Sequence, residues 1–495
     1  MFKLFSDTRL LDAACRKSYG LTEEIMMENA AAALEKTILE NIKTDAEKIN
    51  VVILCGRGNN GADGYALARR LNSRMMNVDV IQCGEPSSPL CQFQSETAAR
   101  TGVEFKEMGL SYQKLLENAD FVADCVFGSG FHGELDKKIQ KLMKAVNSLK
   151  AVKVACDIPS GIDAEGHISE GTFCADVTVT MGALKMGLYS DAAKDYTGKI
   201  VVANLGVTRE LFENPSGIEV KEAACILEQN ENINLPHRKN CVNKGSFGHA
   251  VIAAGEKTGA ALIAGSAALR SGAGLVTLVS SEKIDVPMEL MNSSEVPQNC
   301  TAVAFGMGLG RNSKALDEWF DFVLSHKDIP CVIDADAFYS EKIRSVLEKR
   351  PSNVVLTPHP KEFQSLLKIC GFGEYSVSEC VSKRPELIEK FCRKYPGAVL
   401  LVKGANPVIG FFRKDSMNLI INPLGKPCLA KAGSGDVLSG VICALMAQKT
   451  EDKEHFYLYA VTGSWMHAMA SRKIKCDYSM TPSDLIKAIA ELGEE

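Results

Sequence analysis

Short apolar runs separated by helix-length amphipathic stretches recur along the whole chain, and this alternation sets the fold class. NVVILC (50–55), VDVIQC (78–83), FVADCVF (121–127), VKVACD (152–157), VTVTMG (177–182) and KIVVANLG (199–206) are largely continuous apolar runs, as in strands buried on both faces. Helical periodicity fills the intervals, so the first half reads as βαβ units building a parallel sheet. Ahead of it, TRLLDAACRKSYGLTEEIMMENAAAALEKTIL predicts one or two helices, with Thr22 a suitable helix start.

The alternation breaks at residues 221–246, KEAACILEQNENINLPHRKNCVNKGS, which are polar, Asn-rich and interrupted by Pro236. A domain boundary is placed there, giving 1–222 and 223–495. The strand pattern then resumes in HAVIAAG (249–255), GLVTLVS (274–280), TAVAFGMG (301–308), PCVIDAD (330–336), NVVLTPH (353–359) and AVLLVKG (398–404). PVIGFFR (407–413) and MNLIIN (417–422) predict a hairpin, and LYAVTGSWMHAMA and PSDLIKAIAEL predict closing helices. No internal repeat is present. Both halves are α/β, but their loop motifs differ, so the chain reads as a fusion of two unlike domains.

Composition narrows the class. The chain has 495 residues, 46% hydrophobic and 24% charged, the balance of a globular protein too long for one core. A net charge of −5 gives no support to a nucleic-acid or anionic-membrane partner. No apolar run reaches the ~20 residues of a membrane span. Charge enters MFKLFSDTRLLD too early for a signal peptide. The 17 cysteines lack Cys-x-x-Cys pairs, and several, Cys55, Cys125, Cys156 and Cys331, fall inside apolar strands. They read as small buried hydrophobes in a reducing cytoplasm rather than as metal ligands or disulfides. The eight histidines show no His-x-x-x-His spacing, which argues against zinc.

Candidate chemistry sits where strands end. NVVILC runs into Gly56-Arg57-Gly58-Asn59-Asn60-Gly61-Ala62-Asp63-Gly64 and then the helix YALARRL. This is a Gly-x-Gly-x-x-Gly turn in strand–turn–helix context. Two side-chain amides and a carboxylate suit a polar ligand or a cation. Asp124 lies inside an apolar strand, where an unpaired charge costs several kcal/mol. Asp157 and Ser160 follow the next strand. Strand C-termini of a parallel sheet open onto one edge, so Asn60, Asp124, Asp157 and Ser160 are expected to converge as an oxygen-rich site fit for a hard cation. Loop capping is the plainer explanation for any one of these acids.

In the second half, Lys257 to Leu262 form a glycine turn into a helix, and Gly306-Met307-Gly308-Leu309-Gly310 a turn of close approach. His359 is held between Pro358 and Pro360, and Lys403 ends a strand, placed for a phosphate or simply solvated. The run Ala432-Gly433-Ser434-Gly435-Asp436-Val437-Leu438-Ser439-Gly440 opens a helix. Its freed amides form an anion site. A carboxylate beside a phosphate points to a base aimed at an attacking hydroxyl, with helix capping as the alternative. A phosphate cradle, a base and several ligand turns together argue for phosphoryl transfer from a nucleotide. No Walker run is present.

CGRGNNGADG, DCVFGSGFHGE, CDIPSGID and GALKMGL resemble the NAD(P)HX epimerase family. NKGSFGHAVIAAG, TGAALIA, GMGLG, DADAF, TPHPKEF, VKGANPVI and AGSGDVLSG resemble the ADP/ATP-dependent NAD(P)HX dehydratases. In this order they are similar to the bifunctional NAD(P)H-hydrate repair enzymes. The resemblance implies a Rossmann-like N-terminal domain and a ribokinase-like C-terminal domain. The first would interconvert the R and S epimers of hydrated NADH and NADPH. The second would dehydrate the S form with ADP, giving AMP and phosphate, or with ATP.

The resemblance also implies site residues. Epimerase substrate contacts fall on Asn59, Asn60, Gly61, Ala62, Asp63, Gly128, Ser129, Gly130, Phe131, His132, Gly133, Glu134 and Asp157. A potassium ion falls on Asn60, Asp124 and Ser160. Hydrate contacts in the dehydratase fall on Ala260, Gly308, His359 and Asp436, and the nucleotide, with magnesium, on Lys403, Gly404, Ala405, Asn406, Pro407 and Gly435. Asp157 and Asp436 would be catalytic. The small-molecule substrates NADHX and NADPHX, a homo-oligomer and a cytoplasmic location are further implications. Ala62, Met307, Lys361 and Ser434 depart from the family pattern, and Ala62 would strain its turn if that position needed φ > 0. The competing reading is a ribokinase-type small-molecule kinase with a non-catalytic nucleotide-binding N-terminal domain. A nucleotide-sensing scaffold is a third, disfavoured by the intact acids.

Overall fold

The computed structural model describes residues 1–42, 45–108, 112–217, 220–231, 238, 240–413, 416–448 and 455–492. Two compact units divide the chain, Phe2–Ala224 and Cys225–Glu495, with Met1 grouped with the second. Both are α/β. No described helix is long and apolar enough to cross a membrane.

The N-terminal unit holds a seven-stranded sheet in the order Glu104–Glu107, Asn77–Gln82, Asn50–Cys55, Phe121–Cys125, Val152–Cys156, Val177–Met181, Lys199–Ala203. Every pairing is parallel. The chain winds one way from Asn50–Cys55 and then the other way from Phe121–Cys125, so the order reverses between these two strands. A crevice opens at such a switch point, outside the strand C-termini. The leading segment forms two helices, Arg9–Tyr19 and Glu23–Glu40, and Thr22 caps the second by accepting from the Ile25 N–H.

The helix after the first strand begins at Asn59, not at Tyr65 as the apolar pattern implies. The polar NNGADG run is its first turns, with Gly58 as N-cap. Ala62 is therefore helical and buried, outside the positive-φ residues, and strains nothing. Asn60 and Asp63, three apart, fall on one helix face.

The second unit repeats the arrangement. Strand order is Met291–Ser293, Leu275–Val279, His249–Ala253, Ala302–Phe305, Cys331–Ile333, Val354–Leu356, Val399–Val402, Val408–Arg413, Ser416–Ile421. Pairing is parallel as far as Val399–Val402, then antiparallel through the expected hairpin. Cys225 and Ile226 of Ala224–Ile226 pair parallel with Ile420 and Ile421, so a short strand lies inside the polar seam. Pro236 is outside the described residues. The switch point falls between His249–Ala253 and Ala302–Phe305. The helix Ser434–Ala447 lies almost wholly buried against Thr258–Arg270. A Cβ on Gly440 would stand 2.1 Å from the Ala264 carbonyl oxygen, so only glycine permits that approach. Cys55, Cys125, Cys156 and Cys331 are buried, free thiols.

Candidate functional sites

In the N-terminal unit a cavity of ≈ 840 Å³ opens at the switch point. Asn59, Asn60, Asp63, Gly128, Ser129, Gly130, Phe131, His132, Glu134 and Asp157 border it. Gly61, Ala62 and Gly133 do not: Gly61 packs on the Gly56 carbonyl, Ala62 faces the core, and Gly133 turns the loop at φ 83°. Gly128 brings the walls together. A Cβ there would lie 3.2 Å from Asp157 Oδ2 and 3.3 Å from Asn60 Oδ1.

Asp157 follows its strand with φ 71°, an uncommon conformation for a residue with a side chain. Lys185 Nζ lies 2.6 Å from its Oδ1. The Met181 N–H donates to Oδ1 at 3.2 Å and the Ser129 N–H to Oδ2 at 3.1 Å. Burial pushes this carboxyl up, but the Lys185 charge and these hydrogen bonds outweigh burial and hold it below the usual carboxylate range. Asp63 has the opposite fate. Burial, with the Asp157 charge, pushes it well up, and among the described residues its carboxyl accepts only from the Cys156 thiol, at 3.7 Å.

Asp124 and Ser160 are buried and, unlike Asn60 and Asp157, do not border the cavity; the Ser160 hydroxyl accepts from the N–H of Phe127, which does. Ser160 donates its N–H to Asp124 Oδ2 and its hydroxyl to Oδ1, both at 2.7 Å, and the Val126 N–H adds a third bond at 3.2 Å. Burial nevertheless pushes Asp124 to about 6. The Asp124 carboxylate and Ser160 hydroxyl are oxygens of the kind that hold a hard cation. The Asn60 Nδ2 is buried without a partner, so no protein acceptor fixes that amide.

Lys185 lies within the GALKMGL motif but was given no role there: it comes from a two-residue strand, Leu184–Lys185, too short to show in the hydrophobic pattern. Arg9, Asp12 and Arg57 also border the cavity unannounced.

In the second unit, Gly433 at φ 88° is the N-cap of Ser434–Ala447, which sets Asp436 in the first turn. A Cβ on Gly435 would meet Lys403 Nζ at 3.1 Å. Lys403 Nζ donates to Asp334 Oδ1 at 2.7 Å, and Ser439 Oγ to Asp334 Oδ2 at 2.7 Å. Burial, then the Asp334 charge, pushes Asp436 to about 6 against the opposing pull of Lys403. The Gly306–Gly310 turn places Gly308 against Ala260, 3.3 Å from a Cβ built at Gly308 to the Ala260 Cβ. Met307 is buried there and Lys361 is exposed. Gly404 and Ala405 are exposed in the loop after Lys403, Asn406 is buried, and Pro407 accepts from the Asn422 N–H.

His359 is first a helix cap. Its Nδ1 accepts from the N–H groups of Lys361 and Glu362, and its Nε2 lies 3.1 Å from Glu362 Oε1. An accepting Nδ1 puts the neutral-ring proton on Nε2. Both ring nitrogens are thus engaged by the protein. Burial and nearby Lys403 lower its pKa. Burial, with repulsion from Asp334, raises Glu362 to about 7. His467, on Tyr457–Lys473, lies with Nε2 2.9 Å from the Ser434 carbonyl and 3.0 Å from its hydroxyl. Burial drives it to about 4, so it stays neutral. Neither Asp334 nor His467 was singled out in sequence, because each bonds other residues of the region, Asp334 to Lys403 and Ser439 and His467 to Ser434.

Two α/β units each carry perturbed carboxylates near the C-terminal ends of their strands, the arrangement of an enzyme. Residues 250–491 match the NAD(P)H-hydrate dehydratase family, and residues 23–187 match the YjeF-related protein N-terminus family. The bifunctional NAD(P)H-hydrate repair enzyme Nnr of Helicobacter pylori is 39% identical over 496 residues, covering 99% of this chain and 100% of the relative. The protein of the same description from Escherichia coli K12 is 30% identical, covering 96% and 90%. A Bacillus subtilis ADP/ATP-dependent NAD(P)H-hydrate dehydratase co-crystallised with ATP/Mg2+ is 28% identical, covering 52% of this chain and 94% of that one, with a TM-score of 0.44. The chain belongs to the bifunctional NAD(P)H-hydrate repair enzymes. Its first unit carries the epimerase domain and its second the dehydratase domain.

Proposed function

We propose that Asp157 and Asp436 are the catalytic carboxylates of the two activities. The observation that carries this reading is that each carboxylate sits with a lysine that ends or follows a strand, Lys185 for Asp157 and Lys403 for Asp436.

In the dehydratase, Asp436 removes the proton of the hydrate hydroxyl. That oxygen then attacks the terminal phosphate of the nucleotide, and the remaining nucleotide leaves. Amides at the Gly433–Gly435 helix start, with Lys403, hold the transferring group where negative charge accumulates. Phosphate then departs from the ring carbon as the neighbouring carbon loses a proton, restoring the double bond of NAD(P)H. Lys403 to Pro407 and Gly435 form the nucleotide side, and Ala260, Gly308 and His359 the hydrate side. The nucleotide is ADP or ATP carried with magnesium. His467 fixes the Ser434 peptide and so positions the anion-binding turn.

In the epimerase, the Asn59–Asp63 and Gly128–Glu134 segments hold the hydrate and Asp157 moves its proton. Asn60, Asp124 and Ser160 would hold a potassium ion, which would supply a fixed positive charge beside the cavity. The oxygen chemistry of these three side chains supports that assignment.

Asp436→Asn is expected to abolish S-hydrate dehydration and leave epimerisation intact. Asp157→Asn is expected to stop R-epimer consumption alone. Chromatography of both epimers tests the pair. Near-normal NADH recovery in Asp436→Asn, or equal loss of S-epimer turnover in Asp157→Asn, contradicts the assignments.

A further inference from the structure

Most carboxylates bordering the N-terminal cavity are held by the protein, and one is not. Asp157 is held by Lys185 and two amides. Glu134 accepts from Ser169 Oγ at 2.7 Å and from the Glu170 N–H. Asp136 caps a helix through the N–H groups of Lys138 and Ile139. Asp63 accepts the Cys156 thiol. Asp12, in the first turn of Arg9–Tyr19, accepts no hydrogen bond on its carboxyl from any described residue. It borders both the ≈ 840 Å³ cavity and an adjoining pocket of ≈ 160 Å³. The two spaces share Asn59, Asp63 and Met181, and Met26 and Met27 line the smaller one. A half-buried acid without a protein partner, facing two joined spaces, is free to bond whatever enters them.

We propose that Asp12 is the general acid of the epimerase, working against Asp157 as the base, a proposal that rests on the N-terminal cavity being the epimerisation site. The hydroxyl-bearing carbon of the hydrate adjoins the ring nitrogen. Asp12 gives its proton to the hydroxyl, the carbon–oxygen bond breaks, and water leaves as the nitrogen lone pair forms a carbon–nitrogen double bond. A water molecule adds to the opposite face of that carbon. The double-bond pair returns to nitrogen, and the proton lost by the water passes to Asp157. Proton exchange with cavity water resets both carboxyls, and the reverse sequence interconverts the epimers the other way.

Electrostatics agree with this division. The charged groups acting on Asp12 are Lys185, Asp157, Arg16 and Asp7, with Asp63 also close enough to interact. Burial dominates and raises Asp12 to about 6, while Asp157 is held low. Two carboxyls whose environments push them apart divide acid and base roles between them.

The test measures epimer interconversion by chromatography in wild type, Asp12→Asn, Asp12→Glu and Asp157→Asn. Asp12→Asn should lose about 10²–10⁴-fold in epimerisation, the range of one general acid, with S-hydrate dehydration unchanged. Asp12→Glu should retain a substantial part. In wild type the rate should fall as pH rises through about 6, and Asp12→Asn should lose that limb. Asp12→Asn within threefold of wild type, or Asp12→Asn and Asp12→Glu falling equally, overturns the proposal. If Asp157→Asn interconverts epimers at the wild-type rate, the assignment of the cavity fails instead.

Discussion

As the proposed base, Asp436 must be a carboxylate to take a hydroxyl proton, yet burial and the Asp334 charge raise its pKa to about 6. A base is lost as pH falls through its pKa, so kcat/KM for dehydration should drop below about pH 6. Lys403 opposes the upward shift. Removing that charge in Lys403→Met should therefore move the acidic limb to higher pH while lowering the rate. A limb that stays in place, or moves down, contradicts the assigned electrostatics. Single residues of this kind were only partly legible in sequence. Asp157 and Lys403 stood out as candidates because they are polar side chains at the ends of apolar strands, and Asn60 and Asp436 because they sit in Gly-rich turns that open helices. Lys185, Asp334 and Asp12 did not. Lys185 lies in a two-residue strand, Asp334 is satisfied within the core by Lys403 and Ser439, and Asp12 sits on an ordinary amphipathic helix.

Elements carry these residues to the sites through close helix packing. Gly440 lets Ser434–Ala447 approach Thr258–Arg270, with only 2.1 Å between a built Cβ and the Ala264 carbonyl oxygen. The partner atom is backbone and cannot rotate away. Gly440→Ala should destabilise the C-terminal unit by about 1–3 kcal/mol, as overpacking does, measured by denaturant unfolding. It should also slow dehydration, because one helix bears Asp436 and the other Ala260, while epimerisation persists. Unchanged stability would show that the helices do not meet as described. The long central strands were legible because strands buried on both faces are continuously apolar. Glu104–Glu107 was not, because a solvated edge strand with polar positions carries no such signal. Ala224–Ile226 and Met291–Ser293 are too short to register. The early start of the helix at Asn59 was hidden for the opposite reason: its first turns are polar because they face the cavity.

At the scale of the whole molecule, two α/β units with different loops serve one damaged cofactor. The first unit opens its cavity where strand order reverses, and the motif order along the chain made both candidate sites readable together. The family relationship fixes what the pair does, since relatives span the full chain rather than one half. The kinase alternative shares Asp436 and the phosphate cradle but predicts a stable phosphorylated product. Incubating the purified protein with mixed hydrate epimers, ADP or ATP, and magnesium separates the two. Both epimers should disappear, NADH absorbance should return in proportion, and phosphate should be released. Accumulation of a phosphorylated product without NADH, or an untouched R epimer, would contradict the account.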